Sequence, residues 1–176
     1  LNTAGFKTIA VIGDNATHTN HSGGFGAGVK AKYEINPLQG LQNALGKTVQ
    51  INFAQGYRAL VINPWEKKKE HVDVNQPDTA LIKEAVNTAK NSDIAIVFIG
   101  GNRDYESEGR DREDLSLPFG EQALVDAVTA ANANTIVVVI GGAPYDINKI
   151  KKDNHTIVWS WFNGSEGGHA LADVLT

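Results

Sequence analysis

Apolar positions along the chain fall into two alternating patterns, which are short continuous runs and longer segments with helical spacing. Short runs rich in Val and Ile predict strands of a parallel sheet that are buried on both faces. Such strands are expected over residues 7–13, 48–56, 93–101, 135–142 and 155–162. The intervening segments predict helices over residues 37–46, 78–92, 118–133, 145–153 and 165–175.

Residues typical of helix ends support these boundaries. Pro37 lies near the start of the first predicted helix and Gly46 lies at its end, as the conformational limits of the two residue types favour. Asp78 is the expected N-cap of the second helix, because its side chain can accept hydrogen bonds from the first turn. Ser165 and Glu166 are interpreted as capping residues of the last helix.

Strands that alternate with helices predict an α/β fold. We expect one domain over residues 1–176, a three-layer α/β/α sandwich with a mostly parallel, doubly wound sheet of five to six strands in the order 2-1-3-4-5. Sites in such sheets form outside the carboxyl ends of the strands. The long, polar, glycine-rich connections all fall at that edge, so the sequence predicts a site there. These connections are residues 13–36, 56–77, 100–118, 141–146 and 162–168.

Composition narrows the function class. The chain has 176 residues, a net charge of -4 and no cysteine, which argues against nucleic-acid binding and excludes disulfides and cysteine-based zinc sites. Neither an apolar run long enough to span a membrane nor a signal peptide is found, and the compartment stays open, with a periplasmic or secreted location among the alternatives. The chain lacks methionine and begins with Leu1, which predicts a piece of a longer polypeptide or a processed chain.

A glycine-rich segment, "GGFGAG" at residues 23–28, follows the first strand. A dinucleotide-binding fingerprint needs a third glycine where this chain has Val29, so the pattern argues against nucleotide binding and favours a loop that touches a neutral polar ligand or a partner domain. His18 and His21 in the same loop are three residues apart. Solvent-exposed loop histidines are favoured over a metal site, because no acidic cluster is close in sequence.

The stretch "RDYESEGRDRED" at residues 103–114 contains six acidic and three basic residues directly after the third strand. It is either a solvated loop or a site in which arginines hold carboxylates. A carboxylic acid donates a proton effectively only when burial or a neighbouring carboxylate raises its pKa. Glu106 and Glu108 repel each other at this spacing, and Arg110 and Arg112 can each pair with an acid.

Several blocks together resemble the C-terminal α/β domain of family 3 glycoside hydrolases, which include β-glucosidases and β-xylosidases. The blocks occur in the family's order: "IAVIGDNA", "PLQGL", "SDIAIVFIGGNRDYESEGRDREDLSLPFGEQALVDAV", "TIVVVIGGAPYDI" and "IVWSWFNGSEGGHALADVL". The resemblance extends from about residue 9 to the last residue.

The resemblance implies a retaining, exo-acting β-glycosidase that uses two carboxylates. The nucleophile would be an Asp on an N-terminal (β/α)8 barrel, and the acid/base would be a Glu on this domain in an "E-G-x-D-R" sequence. Glu108 matches that position, and Glu106 is the runner-up because alignments in this loop slip. Arg110, Asp111 and Arg112 are expected to support the loop.

The same resemblance implies that residues 14–29 line the cleft between the domains, with Gly24, Phe25 and Gly26 as candidate substrate-binding residues. The expected partners are a β-linked oligosaccharide or glycoside and the barrel of the same polypeptide, with no nucleic acid and no membrane. No metal and no cofactor is expected, and the isolated domain is expected to be inactive. The alternatives are a non-catalytic cleft-covering or sugar-binding domain and a flavodoxin-like nucleotide-binding domain.

Overall fold

A computed structural model describes residues 1, 5–19, 26, 28–59, 75–106, 108–109, 112–152 and 156–176. Five strands and five α-helices alternate along this part of the chain, as the hydrophobic pattern predicts. The strands are β1 (Thr8–Ile12), β2 (Gln50–Ala54), β3 (Ile94–Gly100), β4 (Thr135–Ile140) and β5 (Thr156–Ser160). The helices are α1 (Pro37–Leu45), α2 (Thr79–Lys90), α3 (Glu121–Ala131), α4 (Asn148–Lys152) and α5 (Gly167–Leu175).

The five strands form one sheet in the order β2-β1-β3-β4-β5, and every neighbouring pair is parallel. The predicted α/β fold class and strand order are therefore confirmed. In the central strand β3, Ile96 and Phe98 contact one helical layer, while Ala95, Val97 and Ile99 contact the other. Burial on both faces explains why this strand reads as a continuous apolar run.

Helices cover both faces of the sheet. α1 and α5 pack on one face through Leu41, Leu45 and Leu171, whereas α2, α3 and α4 cover the opposite face. Within the part of the chain that the structure describes, no helix has the length and apolar character needed to cross a lipid bilayer.

Two of the three predicted helix starts have the predicted chemistry. Asp78 accepts hydrogen bonds from the amides of Ala80 and Leu81, both at 3.1 Å, and Pro37 is the first residue of α1. Glu166 is the N-cap residue of α5, as predicted, but its side chain makes no cap hydrogen bond to that helix. Its carboxylate instead accepts hydrogen bonds from the Tyr33 hydroxyl and from His169 on α5.

The connections differ sharply in length between the two edges of the sheet. Helix-to-strand connections at the amino edge span residues 46–49, 91–93 and 132–134, and a fourth one leads into β5. Strand-to-helix connections at the carboxyl edge include residues 13–36, 55–78 and 101–120. The fold therefore gathers the long polar segments at the edge where a site is predicted.

Candidate functional site

The stretch at residues 103–114, called the charged loop below, begins in a tight turn at the carboxyl end of β3. The side-chain oxygen of Asn102 accepts hydrogen bonds from the amides of Asp104 and Tyr105, at 3.0 and 2.9 Å. The Asn102 carbonyl also accepts one from the Glu106 amide at 2.9 Å. Asn favours such turns because its short side chain mimics a backbone carbonyl. The turn directs Glu106 back towards the ends of the strands.

Glu106 is half-buried, and both of its carboxylate oxygens are hydrogen-bonded within the domain. Oε1 accepts a hydrogen bond from the Tyr145 hydroxyl, and Oε2 accepts one from the Gly142 amide. Both partners belong to the connection between β4 and α4. Burial raises the pKa of Glu106, although the Gly142 and Ala143 amides and the charge of Arg112 oppose that rise.

Arg112 contacts the same connection from the other end of the charged loop. Its guanidinium lies 4.3 Å from the centroid of the Tyr145 ring, in cation–π geometry, and donates a hydrogen bond to the Pro144 carbonyl at 2.8 Å. Tyr145 itself is buried, with 5% of its surface exposed. One tyrosine therefore contacts both Glu106 and Arg112.

Glu108 lies between these two contacts and has different surroundings. It is exposed, and its carboxylate lies against Gly26 of the glycine-rich segment, where a Cβ atom would come within 2.6 Å of Oε2. Gly109, the next residue, has a φ of +74°, which only glycine adopts without strain. The structure thus brings Glu108 and Gly26 together from two separate connections.

A buried polar network lies behind the site. The Asn15 side-chain amide donates to the carbonyls of Gly100 and Gly101, both at 3.1 Å, and so joins the ends of β1 and β3. Glu121, the first residue of α3, is fully buried and accepts hydrogen bonds from the Gly100 amide at 2.9 and 3.0 Å. The Tyr57 hydroxyl accepts a hydrogen bond from the Asn15 amide at 3.2 Å and donates one to the Phe98 carbonyl at 3.3 Å.

Burial raises the pKa of the Glu121 carboxyl well above its usual range, and the nearby carboxylates of Glu106 and Asp14 add to the rise. The sequence does not predict this role, since Glu121 stands where an ordinary acidic residue of a first helical turn is expected.

Several predicted site residues lie outside the described part of the chain: Gly24, Phe25, Arg110, Asp111 and His21. His18 is described, and its Nδ1 atom lies 2.9 Å from the Asp14 carbonyl and 3.6 Å from the Asp14 carboxylate. Among the described residues, no three His, Asp or Glu side chains gather as metal ligands would.

Tyr145 is the contact residue that the sequence analysis missed. Its segment "GGAPYD" reads only as a turn before a helix, and no local spacing links it to residues 106 and 112. The glycine pair at the start of this segment is the one available signal. Gly141 and Gly142 lie beside the Glu106 carboxylate, where a Cβ on either residue would come within 3.2 Å of an oxygen.

Comparison with known proteins agrees with the observed fold. Residues 1–176 match the glycosyl hydrolase family 3 C-terminal domain. A β-glucosidase of Bacteroides ovatus is 35% identical over 97% of this chain and 22% of its own length. A β-xylosidase of Formosa agariphila is 31% identical over 99% of this chain and 23% of its own.

A solved structure extends the similarity to three dimensions. The crystal structure of a family 3 β-glucosidase from Bifidobacterium adolescentis superimposes with a TM-score of 0.79 at 33% identity, over 99% of this chain and 23% of the larger one. The chain thus spans less than a quarter of the length of each of these proteins. On the match of the whole chain and on the identity to these relatives, it belongs to glycosyl hydrolase family 3, whose C-terminal domain it represents.

Proposed function

We propose that this domain supplies the general acid/base, Glu108, to the active site of a retaining, exo-acting β-glycosidase. The nucleophile would be an Asp on a (β/α)8 barrel of the same polypeptide. In the first step Glu108 protonates the glycosidic oxygen as the Asp attacks the anomeric carbon. In the second step Glu108 deprotonates the water that hydrolyses the glycosyl-enzyme intermediate.

The observation that carries this proposal is the difference between the two glutamates of the loop. Glu108 is exposed at the carboxyl edge of the sheet, and its carboxylate lies against Gly26 of the segment expected to line the cleft. A proton donor must reach the leaving-group oxygen within about 3 Å, so access is the first requirement. Glu108 meets that requirement from within this domain.

Glu106 has the raised pKa that a general acid needs, yet its surroundings argue against that role. Tyr145 and the Gly142 amide occupy its two oxygens, and both partners belong to this domain. Proton transfer to a substrate would require at least one of these contacts to break. Geometry therefore favours Glu108, although the pKa alone favours Glu106.

The barrel and the glycoside are the proposed partners. In retaining enzymes the two carboxyl groups lie about 5 Å apart across the scissile bond, so the Asp must approach the Glu108 edge from outside this domain. The isolated chain is then expected to be inactive. The named relatives include both a β-glucosidase and a β-xylosidase at similar identity, which supports sugar selection mainly outside this domain.

The test is replacement of Glu108 in the full-length polypeptide. Glu108→Gln should lower kcat/KM at least about 100-fold for a glycoside with a poor leaving group, because general-acid catalysis contributes about 10²–10⁴-fold. The loss should be much smaller for a dinitrophenyl glycoside, whose leaving group needs no proton. Azide should restore turnover of the Glu108→Ala variant and yield a glycosyl azide.

Glu113→Gln is the matched control, because Glu113 is an exposed acid of the same loop. It should leave both kinetic values unchanged. Equal losses on the two substrates after Glu108→Gln would contradict the acid role. Unchanged kinetics would favour a domain that covers the cleft without taking part in catalysis.

A further inference from the structure

We propose that Tyr145 positions the charged loop, which carries Glu108, by contacts with Glu106 before Glu108 and with Arg112 after it. This inference rests on the proposed function of Glu108 and adds a residue on a different connection of the sheet. Tyr145 acts through the loop and makes no contact with substrate, so it is a positioning residue rather than a catalytic one.

The loop is anchored close to Glu108 in both directions along the chain. Two residues before Glu108, the Glu106 carboxylate accepts the Tyr145 hydroxyl hydrogen bond. Four residues after it, the Arg112 guanidinium lies 4.3 Å from the centre of the Tyr145 ring. The exposed Glu108 therefore lies, along the chain, between two residues that both contact one buried side chain.

The ends of β3 and β4 are shaped to receive this arrangement. A Cβ on Gly101 would come within 2.5 Å of the Glu106 Oε1 atom and would collide with the Tyr145 hydroxyl. A Cβ on Gly142 would lie 3.1 Å from the Glu106 Oε2 atom. Both strand ends thus leave room for the carboxylate and the tyrosine, which supports a defined position for the loop.

The contacts are of a kind that fixes geometry. A hydrogen bond to a carboxylate in a partly buried site is stronger than one between neutral groups, and the planar guanidinium fits flat against an aromatic ring. Displacement of a reacting group by about 1 Å can cost about 100-fold in rate. Loss of either contact should therefore lower the rate of the acid-catalysed step, because Glu108 would be displaced.

The experiment compares two substrates in the full-length polypeptide. Tyr145→Phe removes the hydroxyl and keeps the ring, and Glu106→Gln keeps one acceptor for the Gly142 amide. Each variant should lower kcat/KM about tenfold for the poor leaving group and less than threefold for the dinitrophenyl glycoside, a fraction of the acid's full contribution. Both variants break the same hydrogen bond, between Tyr145 and Glu106. The double variant should therefore lose little more kcat/KM than either single variant.

Glu113→Gln again serves as the control, and thermal unfolding of each variant shows whether the domain stays folded. A structural role alone would lower both substrates' kcat/KM equally, and that result, or no loss on either substrate, would overturn the proposal. Azide rescue of Glu106→Ala would identify Glu106 as the acid and would overturn it as well. Failure of Glu108→Gln to distinguish the leaving groups would instead reject the proposed function itself.

Discussion

Three glutamates around the carboxyl end of β3 carry the same side chain in three different environments. Glu121 is fully buried, Glu106 is half-buried and bound by Tyr145, and Glu108 is exposed. Burial raises the pKa values of the first two, because a carboxylate loses its hydration there. The surroundings of each residue, and not its type, separate a structural carboxyl from a candidate proton donor.

Glu121 should make stability fall as pH rises. Its pKa is raised in the folded state, so the folded protein binds one more proton than the unfolded chain above the unfolded pKa of about 4.3. The free energy of unfolding then decreases by up to about 1.4 kcal/mol per pH unit, until the pH passes the folded pKa. Glu121→Gln cannot ionise and should remove this slope.

Urea unfolding of the chain between pH 4 and pH 8 measures the effect. The Glu121→Gln variant should gain stability relative to the natural sequence as the pH rises. The exposed Glu113→Gln variant should keep the original slope. Parallel curves for the natural sequence and Glu121→Gln would mean that Glu121 is not held in its neutral form.

At the scale of single elements, side-chain caps mark the starts of two helices, α1 and α2. Asn36 and Gln39 form a reciprocal capping box at the start of α1, and Asp78 caps α2 through two backbone amides. α5 differs, because Glu166 is drawn into hydrogen bonds with Tyr33 and His169. Tertiary contacts occupy the Glu166 side chain at this start, and α3 also begins without a side-chain cap.

Removal of the α2 cap should therefore have a measurable cost. Asp78→Ala leaves the Ala80 and Leu81 amides without their acceptor and should lower the free energy of unfolding by about 1 kcal/mol. The weak contact with Arg58, at 3.8 Å on the surface, should add little. Lys83→Ala, at an exposed position of the same helix, is the control, and an equal change in both variants would contradict the capping role.

At the scale of the whole molecule, the parallel sheet assembles the site from distant segments. The connection after β1 supplies Gly26, the one after β3 supplies Glu108, and the one after β4 supplies Tyr145. Parallel strands end at one edge, so these connections meet there whatever their separation along the chain. The topology of the sheet therefore determines which segments contribute to the candidate site.

The contact between the connections after β1 and β3 can be tested by the addition of a single methyl group. In Gly26→Ala the new Cβ would come within 2.6 Å of the Glu108 carboxylate, which is the free end of a flexible side chain and can move aside. Unfolding free energy should change by less than about 0.5 kcal/mol. In the full-length polypeptide, kcat/KM for a poor leaving group should fall about tenfold if Glu108 is the acid, because its carboxylate is displaced.

Gly5→Ala is the matched control, since no atom lies within 4 Å of its Cβ position. It should change neither stability nor kinetics. A Gly26→Ala variant with normal kinetics would indicate that the Glu108 carboxylate takes another position when the barrel is present.

The sequence was sufficient to predict the fold and the edge of the sheet at which the long polar connections gather. Strand and helix patterns are local, and alternation leaves few topologies, so the order of the five strands could be predicted. The surroundings of Glu106 could not be predicted, because its partners at Gly142 and Tyr145 come from another strand's connection. Hydrophobic periodicity indicates which face of a helix or strand is buried, but it does not indicate which loops are in contact.

The unequal connections at the two edges of the sheet also bear on how such a domain evolves. Short turns at the amino edge determine the spacing of strands and helices, and they leave little room for insertion. Long segments at the carboxyl edge rest on that frame and can lengthen or exchange residues without repacking the core. A lineage can therefore change the residues of the candidate site while it inherits the sheet unchanged, which suits a domain shared by enzymes named for different sugars.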